Sequence, residues 1–281
     1  MTRISQTISM AERLRVRPAR PAPFLLVHGS LASSRMWMPY RDALGAAGEL
    51  ITVDLYGYGA SPEWPGPAPM RLADGAAVLH KACVHRAEPV HVIAHSFGGA
   101  VALRWALEHP ERVESLTLIE PVCFFLLQYL GAHAAGALAA IRHVADGFNP
   151  ARGDAVQAAA MQRFYDYWNG PGSWSALAAD RKQMLLARHA QVGRDFGAIF
   201  AERFSPHALR RLSQPTLLVT GSESPQAALL TSAVIAETTP QASLVCVPGA
   251  GHMLPVTHPA ELTAILLTRL GIAGPAEPKA A

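Results

Sequence analysis

The chain has 281 residues, half of them apolar, and a net charge of +3 at neutral pH. That is ample for one large folded domain carrying an insertion. Neither the small charge nor any lysine/arginine block with interleaved aromatics marks a nucleic-acid surface. The three cysteines, Cys83, Cys123 and Cys246, show no metal-type pairing and suit a reducing compartment, so a cytoplasmic location is expected.

The N-terminus carries arginines but no apolar segment followed by a cleavage signal, and no secretory peptide is read there. One edge strand is expected over Ile4–Met10, after which Pro18, Pro21 and Pro23 break regular structure. Phe24–Val27 reads as a short buried strand ending in His28-Gly29-Ser30. A helix is expected over Met36–Ala47 and a strand over Leu50–Val53, closed by Asp54-Leu55-Tyr56-Gly57-Tyr58-Gly59-Ala60-Ser61. Four prolines between Pro62 and Pro69 mark a loop, and Arg71–Arg86 a helix. Val90–Ile93 is an apolar strand that drives into Ser96, followed by small residues and a helical pattern over Val101–Glu108.

Val113–Ile119 is a strand ending at Glu120-Pro121. Residues 122–212 show no strand alternation and read as several helices, with loops at Gly147-Phe148-Asn149-Pro150 and Asn169-Gly170-Pro171-Gly172. Within them, Val122–Ile141 is broken only by Gln128 and His133 and approaches the length of a membrane span. Its place between two halves of one sheet-forming pattern points instead to a buried or pocket-lining helix pair in the cap. Thr216–Thr220 is a strand ended by Gly221, Pro225–Glu237 a helix, and Leu244–Val247 the last strand, followed by Pro248-Gly249-Ala250-Gly251-His252. Thr257 is expected to cap a final helix with Pro259 in its first turn, and the tail from Gly271 to be loose. Such alternation builds an α/β fold: a mostly parallel central sheet with helices on both faces. Residues 1–121 and 213–281 form this core, and 122–212 an inserted helical cap.

The stretch Val90-His91-Val92-Ile93-Ala94-His95-Ser96-Phe97-Gly98-Gly99-Ala100 is strand, sharp turn, helix, with a serine on the turn. A turn this tight strains the serine backbone, lifts the hydroxyl clear, and needs small residues two positions either side, here Ala94 and Gly98. An ordinary strand-to-helix turn with a serine N-cap is the plainer alternative. The motif resembles the nucleophile elbow, G-x-S-x-G, of the α/β-hydrolase family, with Ala94 replacing the first glycine. His28-Gly29, the Asp54-x-x-Gly57-x-Gly59-x-Ser61 loop, the elbow and Gly251-His252 stand in the order of a capped member, so the resemblance covers most of the chain. The N-terminal hairpin usual in the family looks shortened.

A serine hydroxyl needs a base within hydrogen-bond reach. Of twelve histidines, His252 is favoured because it follows the last strand, at the carboxyl edge where Ser96 also lies. The glycines at 249 and 251 would let the backbone turn its ring inward. His28, His91, His109 and His258 read as structural. His80, Cys83 and His85 lie at helical offsets that do not share one face, and no metal site is expected. The elbow supplies the Phe97 N–H as an oxyanion donor, and the resemblance implies a second on the loop after the first core strand, the Ser30 N–H. In many relatives an aspartate stands three residues after the glycine ending the penultimate strand; here that position is Ser224, which cannot balance an imidazolium. Two glutamates remain, Glu223 next door and Glu120 at the end of the strand beside the elbow strand. Haloalkane dehalogenases are among relatives with an acid at the earlier strand, and Glu120 is the expected partner of His252.

The expectation is a cofactor-free serine hydrolase of a small, apolar carboxylic ester, lactone or thioester. Ser96 would be nucleophile, His252 base and acid, and Glu120 the orienting carboxylate. Phe124, Phe125, Tyr129, Phe148, Phe164, Tyr165, Tyr167, Trp168 and Trp174 point to an apolar pocket under the cap. A carbon–carbon bond hydrolase of the ring-cleavage-product type is the rival, although such relatives carry a Gly-x-Gly-Pro-Gly-like loop where this chain has Gly29-Ser30-Leu31-Ala32-Ser33. Cofactor-free perhydrolysis and a non-catalytic receptor on the same fold are further alternatives. The implied partner is a small-molecule substrate, with no nucleic acid and no membrane span; the oligomeric state is left open.

Overall fold

The computed structural model describes residues 22–148 and 154–272. The strand expected over Ile4–Met10, the end of the 147–150 loop and the tail beyond 272 lie outside them. Six strands form one sheet: β1 (Phe24–Val27), β2 (Leu50–Val53), β3 (Val90–His95), β4 (Val113–Ile119), β5 (Thr216–Gly221) and β6 (Ala242–Val247). Their order is β2-β1-β3-β4-β5-β6, and every neighbouring pair is parallel. The central strands β1, β3 and β5 are buried along their whole length, which explains why they read as unbroken apolar runs.

The helices are α1 (Arg41–Gly45), α2 (Leu72–Cys83), α3 (Ser96–Glu108), α4 (Ala132–Asp146), α5 (Asp154–Asn169), α6 (Ala179–Leu186), α7 (His189–Ala201), α8 (Pro206–Leu209), α9 (Gln226–Thr238), α10 (Leu254–Thr257) and α11 (Pro259–Leu270). Alternate residues of each strand feed two cores. Leu25 and Val27 join residues of α2, α3 and α9 on one face. Phe24 and Leu26 join Trp37, Tyr40 and Leu44, with Leu262, Leu266 and Leu270 of α11, on the other. Between β4 and β5 the described residues contain helices and no strand.

Two expectations need correction. The helix over Met36–Ala47 is instead a 3₁₀ stretch, Ser34–Tyr40, running into the short α1. Pro39 lies inside it and has no N–H for an α-helical bond. Thr257 does not cap α11: it ends α10, and His258 precedes α11. Val122–Ile141 is split at Gly131 into a 3₁₀ stretch, Phe124–Leu130, and α4. Among the described residues no helix is long and apolar enough to cross a membrane.

The chain runs from β1 outward to β2, then returns across β1 to β3. The sheet therefore changes direction between β1 and β3, and a crevice opens there beyond the carboxyl ends of the strands. Gly29-Ser30 leaves β1 at that point, and Ser96 leaves β3 beside it.

Candidate active site

Among the described residues three non-glycines have left-handed backbone: Leu31 (φ 58°), Ser96 (φ 55°) and Glu120 (φ 46°). They follow the carboxyl ends of β1, β3 and β4. Such conformations persist only where surrounding contacts over-determine them, and they cluster at functional sites. At the elbow the reason is steric. Strand β3 runs straight to His95, and α3 begins at once on Ser96. A Cβ at Gly98 would sit 2.2 Å from the His28 carbonyl oxygen, and one at Gly29 would sit 2.8 Å from the Ser96 Cβ. Only glycine lets the two chains pass at those positions.

The side chains of Ser96, His252 and Glu120 meet. His252 Nδ1–H donates to Glu120 Oε2 at 2.6 Å, which fixes the tautomer and leaves Nε2 to accept from Ser96 Oγ–H at 3.0 Å. Glu120 is fully buried. Its other oxygen, Oε1, accepts from the Gly221 N–H at 2.8 Å and from the Ser224 hydroxyl. Burial pushes this carboxyl up, but the bonds from His252, Ser224 and Gly221 outweigh it and hold it below the usual carboxylate range. Ser224, which stands where relatives are expected to carry an aspartate, thus serves the glutamate that reaches in from β4. Glu223 turns away and accepts from the Ser222 hydroxyl at 3.1 Å.

Further residues steady His252. His95, next to the serine, donates through Nε2–H to the His252 carbonyl at 2.9 Å. Burial, and then the neighbouring His252, push its ring down to about 3, so it stays neutral. The Trp168 indole stacks on the His252 ring with centroids 3.9 Å apart. Gly249 turns the loop with φ 72°, whereas Gly251 needs no left-handed backbone. On the other side of the crevice, His28 donates through Nδ1–H to the Gly29 carbonyl at 2.7 Å and accepts the Leu55 N–H at 3.0 Å. Asp54 accepts the Ser34 and Ala60 amides at 2.7 and 2.8 Å. These two side chains tie the loops after β1 and β2 together. Phe97 is the second residue of α3, so its N–H is one of the amides that the start of a helix leaves without an internal partner.

A small cavity of about 20 Å³ lies against Ser96, walled by Val122, Phe124, Phe164, Trp168, Val192 and Phe196, with Ser30 and Asp195 as its other polar lining. It holds about one water molecule. A wider cleft of about 1050 Å³ reaches Ser96 and His252 from outside, past Arg35, Arg181 and Arg188. Of the aromatics singled out in the sequence, Phe124, Phe164 and Trp168 line the cavity, and Tyr165 the cleft. Phe125 packs on Phe204 instead, and Tyr129 is half exposed. Phe196, Asp195 and Gln191 sit in a helix with no motif, and Tyr58 and His95 lie inside quoted motifs without being singled out; only long-range contacts show the roles of these five side chains.

Residues 22–259 match the family model for the alpha/beta hydrolase fold, and the chain belongs to that family. A pimeloyl-[acyl-carrier protein] methyl ester esterase of Chromobacterium violaceum is 27% identical over 220 residues, 78% of this chain and 82% of that protein. A hydrolase from Pseudomonas aeruginosa PA01 has a crystal structure that superposes with a TM-score of 0.70 at 25% identity, covering 91% of this chain and 92% of that one. "Probable lysophospholipase BODYGUARD 3" of Arabidopsis thaliana is 33% identical over 103 residues, 34% of this chain, but that match spans only 20% of the plant protein's length.

Proposed function

We propose that the protein is a serine hydrolase of small apolar carboxylic esters, thioesters or lactones, working in the cytoplasm through an acyl-enzyme on Ser96. The observation that carries this reading is the buried relay Glu120–His252–Ser96, with bonds of 2.6 and 3.0 Å. Ser96 Oγ attacks the carbonyl carbon as His252 Nε2 takes its proton. Glu120 holds the opposite edge of the ring and balances the imidazolium charge. The tetrahedral oxyanion is received by the Ser30 and Phe97 amides, the second at the positive end of α3. His252 then protonates the leaving oxygen, and water admitted through the outer cleft repeats the sequence in reverse. Each step draws on side chains and amides of the chain itself.

The cavity beside Ser96 sets the acyl size. With room for about one water-sized group, it accepts only the methyl of an acetyl ester, and the wider cleft receives the alcohol. The helices of residues 122–212 act as the lid in this reading, with Trp168 covering His252. The similarity to an esterase adds support for ester chemistry. The test is a panel of p-nitrophenyl esters of rising acyl length, run beside a carbamate and a vinylogous diketone. Acetate is expected to be hydrolysed fastest. An alkyl phosphonate should label Ser96 alone, and Ser96→Ala should lose turnover on the order of 10⁴- to 10⁶-fold. Label on another serine, or cleavage of the diketone in preference to every ester, would overturn the reading.

A further inference from the structure

We propose that Asp195 is a positioning residue of the hydrolytic site: from α7 in the helical segment it grips Ser30 and so sets the oxyanion loop of the core. The inference rests on the serine-hydrolase reading above and adds to it a part contributed by the segment over the sheet.

Asp195 is 2% exposed, in a helix whose acidic residue would ordinarily face water. Its carboxylate accepts three bonds. Ser30 Oγ–H and Tyr58 O–H both donate to Oδ2 at 2.6 Å, and the Gln191 side-chain amide donates to Oδ1 at 2.9 Å. The positive charge of Arg194, itself bonded to Gln191, also favours the ionised carboxylate. His28 meets Tyr58 edge-on with ring centroids 5.7 Å apart. Arg188, just before α7, donates to the Gly57 carbonyl at 2.9 Å, so the helix is moored to the loop after β2 at two points. Burying a carboxylate is costly unless each of its oxygens is paired, and here both are. Burial still pushes Asp195 up to about 7 against the pull of its three donors.

The load falls on the loop. Leu31, directly after Ser30, is held at φ 58°, a conformation a leucine does not keep without outside support. Within the loop itself, only the Ala32 N–H to Gly29 carbonyl bond, at 3.3 Å, closes the turn. The outside support comes from Asp195 and Tyr58 together: Tyr58 accepts the Leu31 N–H, and Asp195 holds both the Tyr58 and the Ser30 hydroxyls. Because the Ser30 amide is the proposed oxyanion donor, a carboxylate in the helical segment decides where that N–H points.

The variants are Asp195→Ala, Asp195→Asn and Ser30→Ala, which keeps the backbone N–H. Deleting one oxyanion donor outright costs about 10²- to 10³-fold in kcat, so a loosened donor should cost about 10- to 100-fold. Asp195→Ala and Ser30→Ala should each lose that much kcat with KM within about threefold, and the double variant should be no worse than Asp195→Ala, which already lacks the Ser30 bond. Asparagine keeps an oxygen for Ser30 and Tyr58, so Asp195→Asn should stay within about threefold of the parent. Amide hydrogen exchange of the peptide containing residues 29–32 gives a readout independent of turnover: about tenfold faster in Asp195→Ala and parental in Asp195→Asn.

Parental kcat and exchange in Asp195→Ala, losses that multiply in the double variant, or a change confined to KM would overturn the proposal. If Asp195→Ala does not fold, Ser30→Ala and Asp195→Asn decide it by the same measures. Failure of the serine-hydrolase reading would appear in the parent protein, as no ester turnover and no label on Ser96, and would leave the exchange test standing.

Discussion

Glu120 reaches His252 from the strand next to the elbow strand, about 4.8 Å away across the sheet. A glutamate has one methylene more than an aspartate, and its three bonds, from His252, Gly221 and Ser224, fix the longer side chain. Glu120→Gln would present an amide to the His252 ring and favour the wrong tautomer, so turnover should fall roughly 10³- to 10⁴-fold. Glu223→Gln should stay within a few-fold, since among the described residues the Glu223 carboxylate bonds Ser222 and not His252. Steady-state kinetics of the two variants checks this, and the reverse ranking would return the acid to β5. The contact between Glu120 and His252 was legible because a serine stood where an aspartate was due and a carboxylate ended the neighbouring buried strand. Asp195 was not legible: an aspartate within a helix looks like any solvated residue until the fold brings Ser30, 165 residues away, against it.

Strands β1, β2 and β4 begin and end where apolar runs meet turn residues, so their limits could be read directly. The helices between β4 and β5 could be recognised together but not separately, because tertiary contacts rather than strong caps end them. Those contacts also decide which aromatics matter. Trp168 of α5 and Phe196 of α7 wall the cavity, whereas Phe125 packs on Phe204. Trp168→Ala and Phe196→Ala should therefore shift preference from acetate towards butyrate, by about 10- to 200-fold per pair of substrates, since a pocket discriminates by ~1–3 kcal/mol per methylene. Phe125→Ala should lower stability by ~3–5 kcal/mol without moving the preference. The ratio of kcat/KM for the two esters is the measurement, and an unchanged ratio in both cavity variants would remove these helices from substrate choice.

The pH response belongs to the whole molecule. His28, His91 and His95 are buried, and burial pushes all three below the ordinary histidine range, His91 to about 4 and His95 to about 3. Unfolded, they bind protons from about pH 6.5 downward. Their contribution to stability is thus present above that pH and lost as pH falls through the folded values. Glu120, held low, acts in the same direction at more acid pH. Asp195 opposes them: raised to about 7, it contributes stability at low pH that is lost as pH rises through 7. Three histidines and a glutamate outweigh one aspartate, so the thermal midpoint should climb between pH 4 and 6.5. Asp195→Asn removes the opposing group and should steepen the climb; a flat or inverted profile in the parent would contradict this balance.

The bonds of Glu120 all end on Gly221, Ser224 and His252, outside residues 122–212. The carboxylate proposed to orient His252 is therefore bonded independently of whatever lies between β4 and β5. The proposed oxyanion loop is not, because Ser30 is bonded to Asp195 of that segment. A graft that exchanged this segment for another would inherit the bonds among Glu120, His252 and Ser96, but would have to bring its own stack for His252 in place of Trp168 and its own anchor for Ser30. Modularity in this fold is thus lopsided: half of the chemistry travels with the sheet, and the other half must be renegotiated with every new roof.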